Sequence, residues 1–187
     1  MANENLKLWL AVEKTNPNYT KNANVKGNKI TSIAPQFQIM NVTEQFGIYG
    51  QKWGFKSIEL DYTLAESLGL VVFKGVFFFP NGEFPIINSI SLFMDNARTK
   101  IDDNFAKKAE TDALTKAISK LGFNADIFMG KFDDIRYVEE MKKEFNKVPI
   151  SDERFENALL AIQEGKATKE SLTSNFILTA DQLAKIK

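Results

Sequence analysis

One dense apolar run, Leu70–Phe79, constrains the fold of this chain more than any other feature. The run is rich in β-branched and aromatic residues, which favour strands, and the turn-forming sequence Pro80-Asn81-Gly82-Glu83 follows it directly. A second strand-like run returns from Phe84 to Phe93, and an earlier one extends from Phe55 to Tyr62. In the returning run the alternating positions are Ile86, Asn88, Ile90 and Leu92. The three runs predict a three-stranded antiparallel meander.

Helical patterns flank this meander. Before it, residues 3–14 are amphipathic, and residues 17–31 are polar and predict a loop that ends in a short extended piece. Pro35 then opens a helix to about Phe46, with Phe37, Met40 and Val42 facing inward. After the meander, residues 97–121 predict a long helix ending at Gly122, and residues 133–146 predict another. The apolar arc of the long helix is Ala106, Ala109, Ala113, Leu114, Ala117 and Leu121. The predicted fold class is α+β, with the meander packed against the long helix.

The last part of the chain predicts a separate unit. Phe155, Leu159 and Ile162 recur at helical spacing after Ser151, and two short capped helices follow over 168–172 and 179–186. Pro149 marks the linker before this segment. The sequence thus predicts a core domain over residues 1–147 and a small all-helical C-terminal extension over residues 151–187.

The composition removes several classes of chemistry. The chain has no cysteine and no histidine, so it lacks a thiolate nucleophile, a Cys-based zinc site and the commonest general base. No phosphate-binding Gly-x-x-x-x-Gly-Lys-Ser/Thr string occurs, which argues against nucleotide hydrolysis. Acidic pairs occur at positions 59/61, 102/103 and 133/134. They fit solvated turns or helix N-terminal charges, while a magnesium nuclease that uses Asp and Glu alone stays open as an alternative.

The sequence shows neither a membrane span nor an export signal. No apolar run approaches the roughly 20 residues that cross a bilayer. The start, Met-Ala-Asn-Glu-Asn, lacks the basic-then-apolar order of a signal peptide. We therefore expect a cytosolic protein with no membrane partner.

The long predicted helix carries a polar stripe on one face. Its members, spaced four, three, four and four residues apart, are Asn104, Lys108, Thr111, Thr115 and Ser119. Lys116 and Lys120 flank it on one side and Lys100 and Lys107 on the other, while Asp112 interrupts the positive charge. Hydroxyls, amides and lysines on one face are groups that hold phosphate oxygens without reading bases. The same face also fits the solvated side of an ordinary amphipathic helix, and periodicity alone favours that interpretation.

Charge is balanced over the whole chain but not along it. The 24 basic and 24 acidic residues give zero net charge, which by itself argues weakly against a nucleic-acid-binding protein. The first third is nevertheless basic: between residues 14 and 60 the charges are Lys14, Lys21, Lys26, Lys29, Lys52 and Lys56 against Glu44 and Glu59. If exposed, Tyr19, Tyr49 or Trp53 beside Lys21 or Lys52 would suit stacking on unpaired bases. The residues Phe73, Phe77, Phe78 and Phe79 better fit the buried face of the sheet or a subunit contact.

Two stretches resemble the Rad fifty-two superfamily of single-strand annealing proteins, particularly its small phage (Sak-like) members. The first runs from Asn16 to Phe55 and ends in Thr-Glu-Gln-Phe-Gly-Ile-Tyr-Gly-Gln-Lys-Trp-Gly-Phe, which looks like the family's turn from helix into sheet. The second, from Lys107 to Gly122, is similar to the family's signature helix: a basic pair, Ala, a Thr-Asp pair, Leu and a basic-studded turn ending in Gly. The order of helix, meander and long helix agrees as well, over roughly residues 14–131.

The resemblance implies a function and a site. It implies ATP-independent binding and annealing of single-stranded DNA in phage homologous recombination in the host cytoplasm, by a homo-oligomeric ring with no cofactor and no catalytic residue. Lys21, Lys107 and Lys116 match the family's basic DNA-contacting positions. Thr115 and Ser119 stand where a relative has basic residues, and Lys120 compensates from one position on. The full set of expected DNA-binding residues is Lys21, Lys26, Lys29, Lys52, Lys56, Lys100, Lys107, Lys108, Lys116 and Lys120.

Three rival functions remain beside this one. The first is a protein that protects single-stranded DNA without annealing it, the second is the magnesium nuclease, and the third is a protein–protein adaptor whose polar helix face is merely solvated. The segment after residue 151 has no counterpart in the annealing core. Its mild acidity suggests a docking module for a single-strand-binding protein or a host recombinase.

Overall fold

The structure, a computed structural model, describes residues 3–25 and 27–186 of the chain and contains two compact units. The first unit comprises the chain up to Thr15 and then Tyr19–Met129. The second comprises Asn16–Asn18 and the chain from Gly130 onward.

The first unit alternates short helices with antiparallel strands around one long helix. In chain order its elements are α1 (Lys7–Val12), β1 (Thr20–Val25), β2 (Asn28–Ile33), α2 (Pro35–Phe46), β3 (Gly54–Asp61), α3 (Ala65–Leu68), β4 (Leu70–Phe79), β5 (Gly82–Ser91), α4 (Phe105–Lys120) and α5 (Ala125–Phe128). A short 3₁₀ turn over Glu4–Leu6 precedes α1. The predicted α+β class and the three-stranded antiparallel meander are both confirmed, with the strand order β3-β4-β5.

The core lies between one face of the meander and α4. Strand β4 points every second side chain at this face, so Phe73 and Phe77 are buried there. The helix presents three fully buried alanines, Ala109, Ala113 and Ala117. Because alanine has so small a side chain, the helix backbone packs close to the aromatic rings of the sheet. Most of the predicted apolar arc is correct, although Ala106 is exposed and the fully buried Ile118 was missed.

The polar segment 17–31, for which the sequence predicted a loop ending in a short extended piece, forms most of a β-hairpin: the extended piece is confirmed as part of β2, whereas β1 replaces much of the predicted loop. Strands β1 and β2 pair antiparallel from Thr20 opposite Ile33 to Val25 opposite Asn28. Gly27 in the turn has φ +88°, and its N–H donates to the Asn24 side chain at 2.9 Å. The sequence shows no alternation of apolar and polar residues here, because backbone hydrogen bonds hold the two strands together and most of their side chains are polar.

The long helix begins later than its sequence pattern predicted. Residues 95–104 form a turn-rich loop, because the Asp95 carboxylate accepts hydrogen bonds from the N–H groups of Thr99 (2.9 Å) and Lys100 (3.4 Å). Such side-chain bonds offer the backbone an alternative to the helix. Lys100, predicted to flank the helical stripe, therefore lies in this loop, and α4 starts at Phe105.

A buried carboxylate fastens the N-terminal segment to the end of α4. The fully buried Asp126 accepts from the N–H and the hydroxyl of Thr15 at 2.7 and 2.6 Å. Asn124 Nδ2 donates to the same hydroxyl at 3.0 Å. Beside this cluster the Trp9 ring lies against Gly122. Helix α1 is thus attached both by hydrogen bonds and by ring packing.

The second unit is built from short capped helices. In chain order it contains α6 (Ile135–Phe145), β6 (Val148–Pro149), α7 (Asp152–Gln163), α8 (Lys169–Asn175), β7 (Phe176–Ile177) and α9 (Ala180–Lys185). The side chains of Ser151, Thr168 and Thr179 cap the last three helices, as predicted. Its core is formed by Ile150, Phe155, Leu172 and Ile186.

This unit begins at Gly130, whereas the sequence placed its boundary between residues 147 and 151. Helix α6 packs on α8, and the two-residue strands β6 and β7 pair in parallel. Lys147 Nζ also donates to the Thr173 carbonyl at 2.9 Å. Because α6 packs on the C-terminal helices, it belongs to the second unit and not to the predicted core domain. Among the described residues, no helix combines the length and the apolar character that a bilayer crossing requires.

Gly122→Ala should destabilise the first unit more than Gly50→Ala. Both glycines have a left-handed φ, +95° and +81°, which costs an alanine about 1–2 kcal/mol. A Cβ on Gly122 would also lie 2.7 Å from the Trp9 ring, whereas one on Gly50 meets nothing within 4 Å. The clash adds about 1–3 kcal/mol.

Urea unfolding followed by tryptophan fluorescence measures this difference, because both tryptophans, Trp9 and Trp53, lie in the first unit. Equal losses in the two variants would show that Trp9 does not pack against Gly122 in solution.

Candidate functional site

A continuous groove runs along one side of α4. It consists of three adjoining depressions of about 340, 270 and 230 Å³. The first and second share Asp112 and Phe128, the second and third share Gln38 and Thr111, and Thr115 lines all three. We call this the α4 groove. Its lining comes from α4, from Ile30–Ile33 of the hairpin, from the start of α2, from β5 and from α5.

Hydroxyl groups of the predicted stripe lie in this groove and are already oriented. Thr111 and Ser119 donate to the carbonyls of Lys107 and Lys116, at 2.8 and 3.0 Å. Thr115 donates to Gln38 Oε1 at 2.9 Å. Each hydroxyl therefore has its proton held by the protein and offers a ligand only its acceptor capacity, so the predicted contacts of these hydroxyls with phosphate oxygens are not formed by the protons as they lie here.

One predicted lysine, Lys116, lines the groove. Its Nζ donates to Asn88 Oδ1 on β5 at 3.0 Å, which positions the ammonium beside Thr115 and Ser119. Asp112, one helical turn before Lys116, lines the same depression. Glu110 lines the third depression, so the charged part of the groove lining combines one ammonium with two carboxylates, and the rest is neutral. Phe128 adds a half-exposed ring, with 53% of its surface accessible.

The other lysines of α4 lie outside the three depressions. Lys107, one turn before Thr111, is exposed. Lys108 pairs with the buried carboxylate of Asp102, whose pKa is held below its ordinary value chiefly by this hydrogen bond. Lys120 lies over the Phe84 ring, with Nζ 5.5 Å from its centroid. Lys108 and Lys120 therefore have intramolecular partners, which sequence spacing did not reveal.

The expected lysines of the first third spread over several surfaces. Lys21 and Lys29 are exposed on the two strands of the hairpin, whose residues 30–33 line the groove. Lys52 is exposed in the turn before β3. Lys56 points to the sheet face opposite α4 and pairs with Glu83, so it is not brought to the groove. Lys26 lies outside the described residues.

The three candidate stacking residues differ in accessibility. Trp53 is fully buried, and its indole N–H donates to the Gly47 carbonyl at 2.8 Å, so the condition of exposure for stacking on bases is not met at this residue. Tyr49 is half-exposed beside the third depression, and burial, with Glu110, raises the pKa of its hydroxyl. Tyr19 is half-exposed as well, but its ring already stacks on Phe37, with centroids 4.1 Å apart.

The acidic pairs occupy structural positions. Glu59 and Asp61 both contact Lys74 on the neighbouring strand. The hydrogen bond that Lys74 donates to Asp61 strongly lowers the pKa of the Asp61 carboxyl. Asp134 caps α6 and pairs with Arg136. Within residues 3–25 and 27–186, no three acidic side chains come together in a way that could hold a metal ion.

Sequence reasoning missed two polar residues of the groove, Asn88 and Gln38. Asn88 occupies an inward position of the alternating run that also contains Ile86 and Ile90. Gln38 is buried on α2 between the positions of Phe37 and Val42, whereas Met40, which was predicted to face inward, is exposed. A polar residue at a predicted core position was the available signal in both cases.

No protein-family model matches this chain, and no curated protein matches it in sequence. The geometry of the groove and the two sequence motifs are therefore the observations that bear on function.

Lys108→Ala should raise the pKa of Asp102 toward its ordinary value, because the hydrogen bond from the Lys108 ammonium is the largest influence that lowers it. A carboxyl with a lower pKa in the folded state stabilises the fold above its unfolded pKa of about 3.9. This contribution is lost as the pH falls through the folded pKa.

Titration of the Asp102 carboxyl carbon by NMR in the two proteins measures the shift. Lys107→Ala, at the adjacent helix position, is the matched control and should leave the titration unchanged. An Asp102 that titrates identically with and without Lys108 would contradict the ion pair.

Proposed function

We propose that this chain binds single-stranded DNA along the α4 groove and anneals complementary strands without ATP. In this proposal it acts as a homo-oligomeric ring in phage homologous recombination, in the host cytoplasm. The reaction makes and breaks no covalent bond, so it assigns no catalytic residue and no cofactor.

One observation carries the proposal: the two motifs that resemble the Rad fifty-two superfamily border the same groove. The first motif, Asn16–Phe55, includes the hairpin and α2, which supply residues 30–33 and Gln38 to the lining. The second motif, Lys107–Gly122, includes nearly all of α4, which supplies Thr111, Thr115 and Lys116. Resemblances in two separate stretches of sequence thus converge on one surface.

The chemistry of the lining supports a backbone-binding role. Phosphate oxygens accept hydrogen bonds, and Lys116, oriented by Asn88, supplies a charged donor for them. Lys107 extends the positive charge one turn beyond the groove, and Lys21 and Lys29 lie on the hairpin that borders it. Such contacts neutralise charge without reading sequence, which lowers the repulsion between two strands that must pair.

The charges of the groove also predict a modest affinity of each protomer for single-stranded DNA. Asp112 lines it beside Lys116, Glu110 lines its third depression, and Lys108 already pairs with Asp102. Few unpaired cations mean few released counterions per protomer. A ring of protomers would multiply these weak contacts along one strand.

Annealing of two complementary oligonucleotides, followed by fluorescence without nucleotide or magnesium, tests the proposal. The protein should accelerate pairing at near-physiological salt, because it holds both strands with their charge partly neutralised. Tight binding without faster pairing would favour the strand-protecting alternative, and absence of salt-dependent binding would favour the adaptor. Degradation of a labelled oligonucleotide on addition of magnesium would favour the nuclease.

Lys107→Ala and Lys116→Ala should each weaken binding to single-stranded DNA for all sequences. Each should reduce the slope of log affinity against log salt by roughly 0.7, as loss of one phosphate contact to a single strand does. Lys108→Ala is the matched control on the same helix, and it should change affinity less because its ammonium already pairs with Asp102.

Fluorescence anisotropy over a salt series measures all three variants. Unchanged affinity in both Lys107→Ala and Lys116→Ala would remove α4 from the binding site.

A further inference from the structure

Two buried amides of the α4 groove have a donor nitrogen without a partner. Asn88 on β5 is 7% exposed and Gln38 on α2 is 2% exposed. In the part of the chain that the structure describes, Asn88 Nδ2 and Gln38 Nε2 have no hydrogen-bond acceptor and no contact with solvent. Buried polar groups in folded proteins are nearly always paired, so two such exceptions beside one groove point to a missing acceptor.

Neighbouring residues of α4 determine how these amides are turned. An ammonium group only donates, so Lys116 Nζ, 3.0 Å away, must face the oxygen of Asn88 and leave its nitrogen unpaired. The Thr115 hydroxyl donates to the oxygen of Gln38 at 2.9 Å, although a hydroxyl, unlike an ammonium, can also accept, so only the orientation of Asn88 is dictated by its partner. Both oxygens are therefore occupied by α4, while both nitrogens remain available.

We infer that Asn88 and Gln38 are uncharged donors to the phosphodiester oxygens of the bound strand. This inference rests on the proposed function and assigns it two contact residues outside the lysine set. Asn88 lines the depression that contains Lys116, and Gln38 lines the two depressions that meet at Thr115. Phosphate oxygens are acceptors only, so they match two unpaired donors and an ammonium.

Access to these nitrogens requires a small side-chain rearrangement. Neither nitrogen reaches solvent in the free protein. Lys116 is exposed, donates to Asn88 Oδ1 and lines the same depression, so its movement toward a phosphate would free the Asn88 amide to turn. The strand then becomes the hydrogen-bond partner of the Asn88 amide.

Neutral donors leave a different signature from lysines. An amide contact releases no condensed counterion, so its removal lowers affinity equally at every salt concentration. Removal of a lysine instead flattens the salt dependence. Removal of an unpaired buried donor also removes its desolvation penalty from the free protein. The stability of the free protein should therefore stay unchanged or rise, while its affinity for DNA falls.

Asn88→Leu and Gln38→Met in the full chain test this inference. Both replacements keep the approximate volume and remove the donor nitrogen together with the oxygen that accepts from Lys116 or Thr115, so the salt slope is needed to separate the two effects. Gln45→Met at an exposed position of α2 is the matched control. Anisotropy with labelled oligothymidylate over a salt series should show a loss of roughly fivefold in each variant, with an unchanged slope. Urea unfolding by tryptophan fluorescence should show no loss of stability, and the control should match the unsubstituted protein in both measurements.

Several outcomes would overturn the assignment. Unchanged affinity in a folded variant would make that amide a packing defect, and a flattened slope would mean that it acts only by positioning Lys116. An abasic oligonucleotide of the same length separates phosphate from base contacts: the same loss supports the inference, and no loss assigns the amides to base carbonyls instead. If the unsubstituted protein binds no oligonucleotide, the proposed function itself fails and this inference fails with it.

Discussion

The packing of α4 on the aromatic face of the meander is the interaction on which the first unit depends. Three alanines four residues apart, Ala109, Ala113 and Ala117, are fully buried against this face. Their small side chains let the helix lie close to the sheet and fix its rotation about its own axis. With that rotation fixed, the side of the helix that carries Thr111 and Thr115 turns toward the hairpin and α2. The groove is therefore a consequence of how the opposite side of the helix packs.

Local sequence patterns predicted the strands, the helix face and the helix caps that have a local physical cause. The β-branched and aromatic run of β4, the alanine arc of α4 and the capping residues Ser151, Thr168 and Thr179 all have a local physical cause, and the structure has them where the sequence placed them. Strand β1 and its pairing with β2 escaped prediction because neither face of the hairpin is apolar. The start of α4 was misplaced because the Asp95 side chain competes with the helix for backbone N–H groups.

The site was less predictable than the fold, since its contacts join residues far apart in sequence. Spacing identified the hydroxyl stripe and Lys116, but nothing local shows that Thr115 meets Gln38 or that Lys116 meets Asn88. Ion pairing was equally hidden: Lys56 and Lys108 entered the candidate set as cations, and the structure pairs them with Glu83 and Asp102. A zero net charge thus conceals which lysines have partners, and only the folded arrangement separates them.

The buried Asp126 cluster has a consequence for the order of folding. It joins Thr15 to Asp126 across 111 positions of the chain, so it cannot form before nearly the whole first unit is available. Closing so long a loop is entropically costly, and contacts of this range slow folding. During synthesis the meander and α4 can assemble first, and we expect α1 to pack against them last. Early burial of Trp9 during refolding, ahead of Trp53, would contradict this order. A force that pulls α1 away from the unit would have to break this cluster and the contact of Trp9 with Gly122.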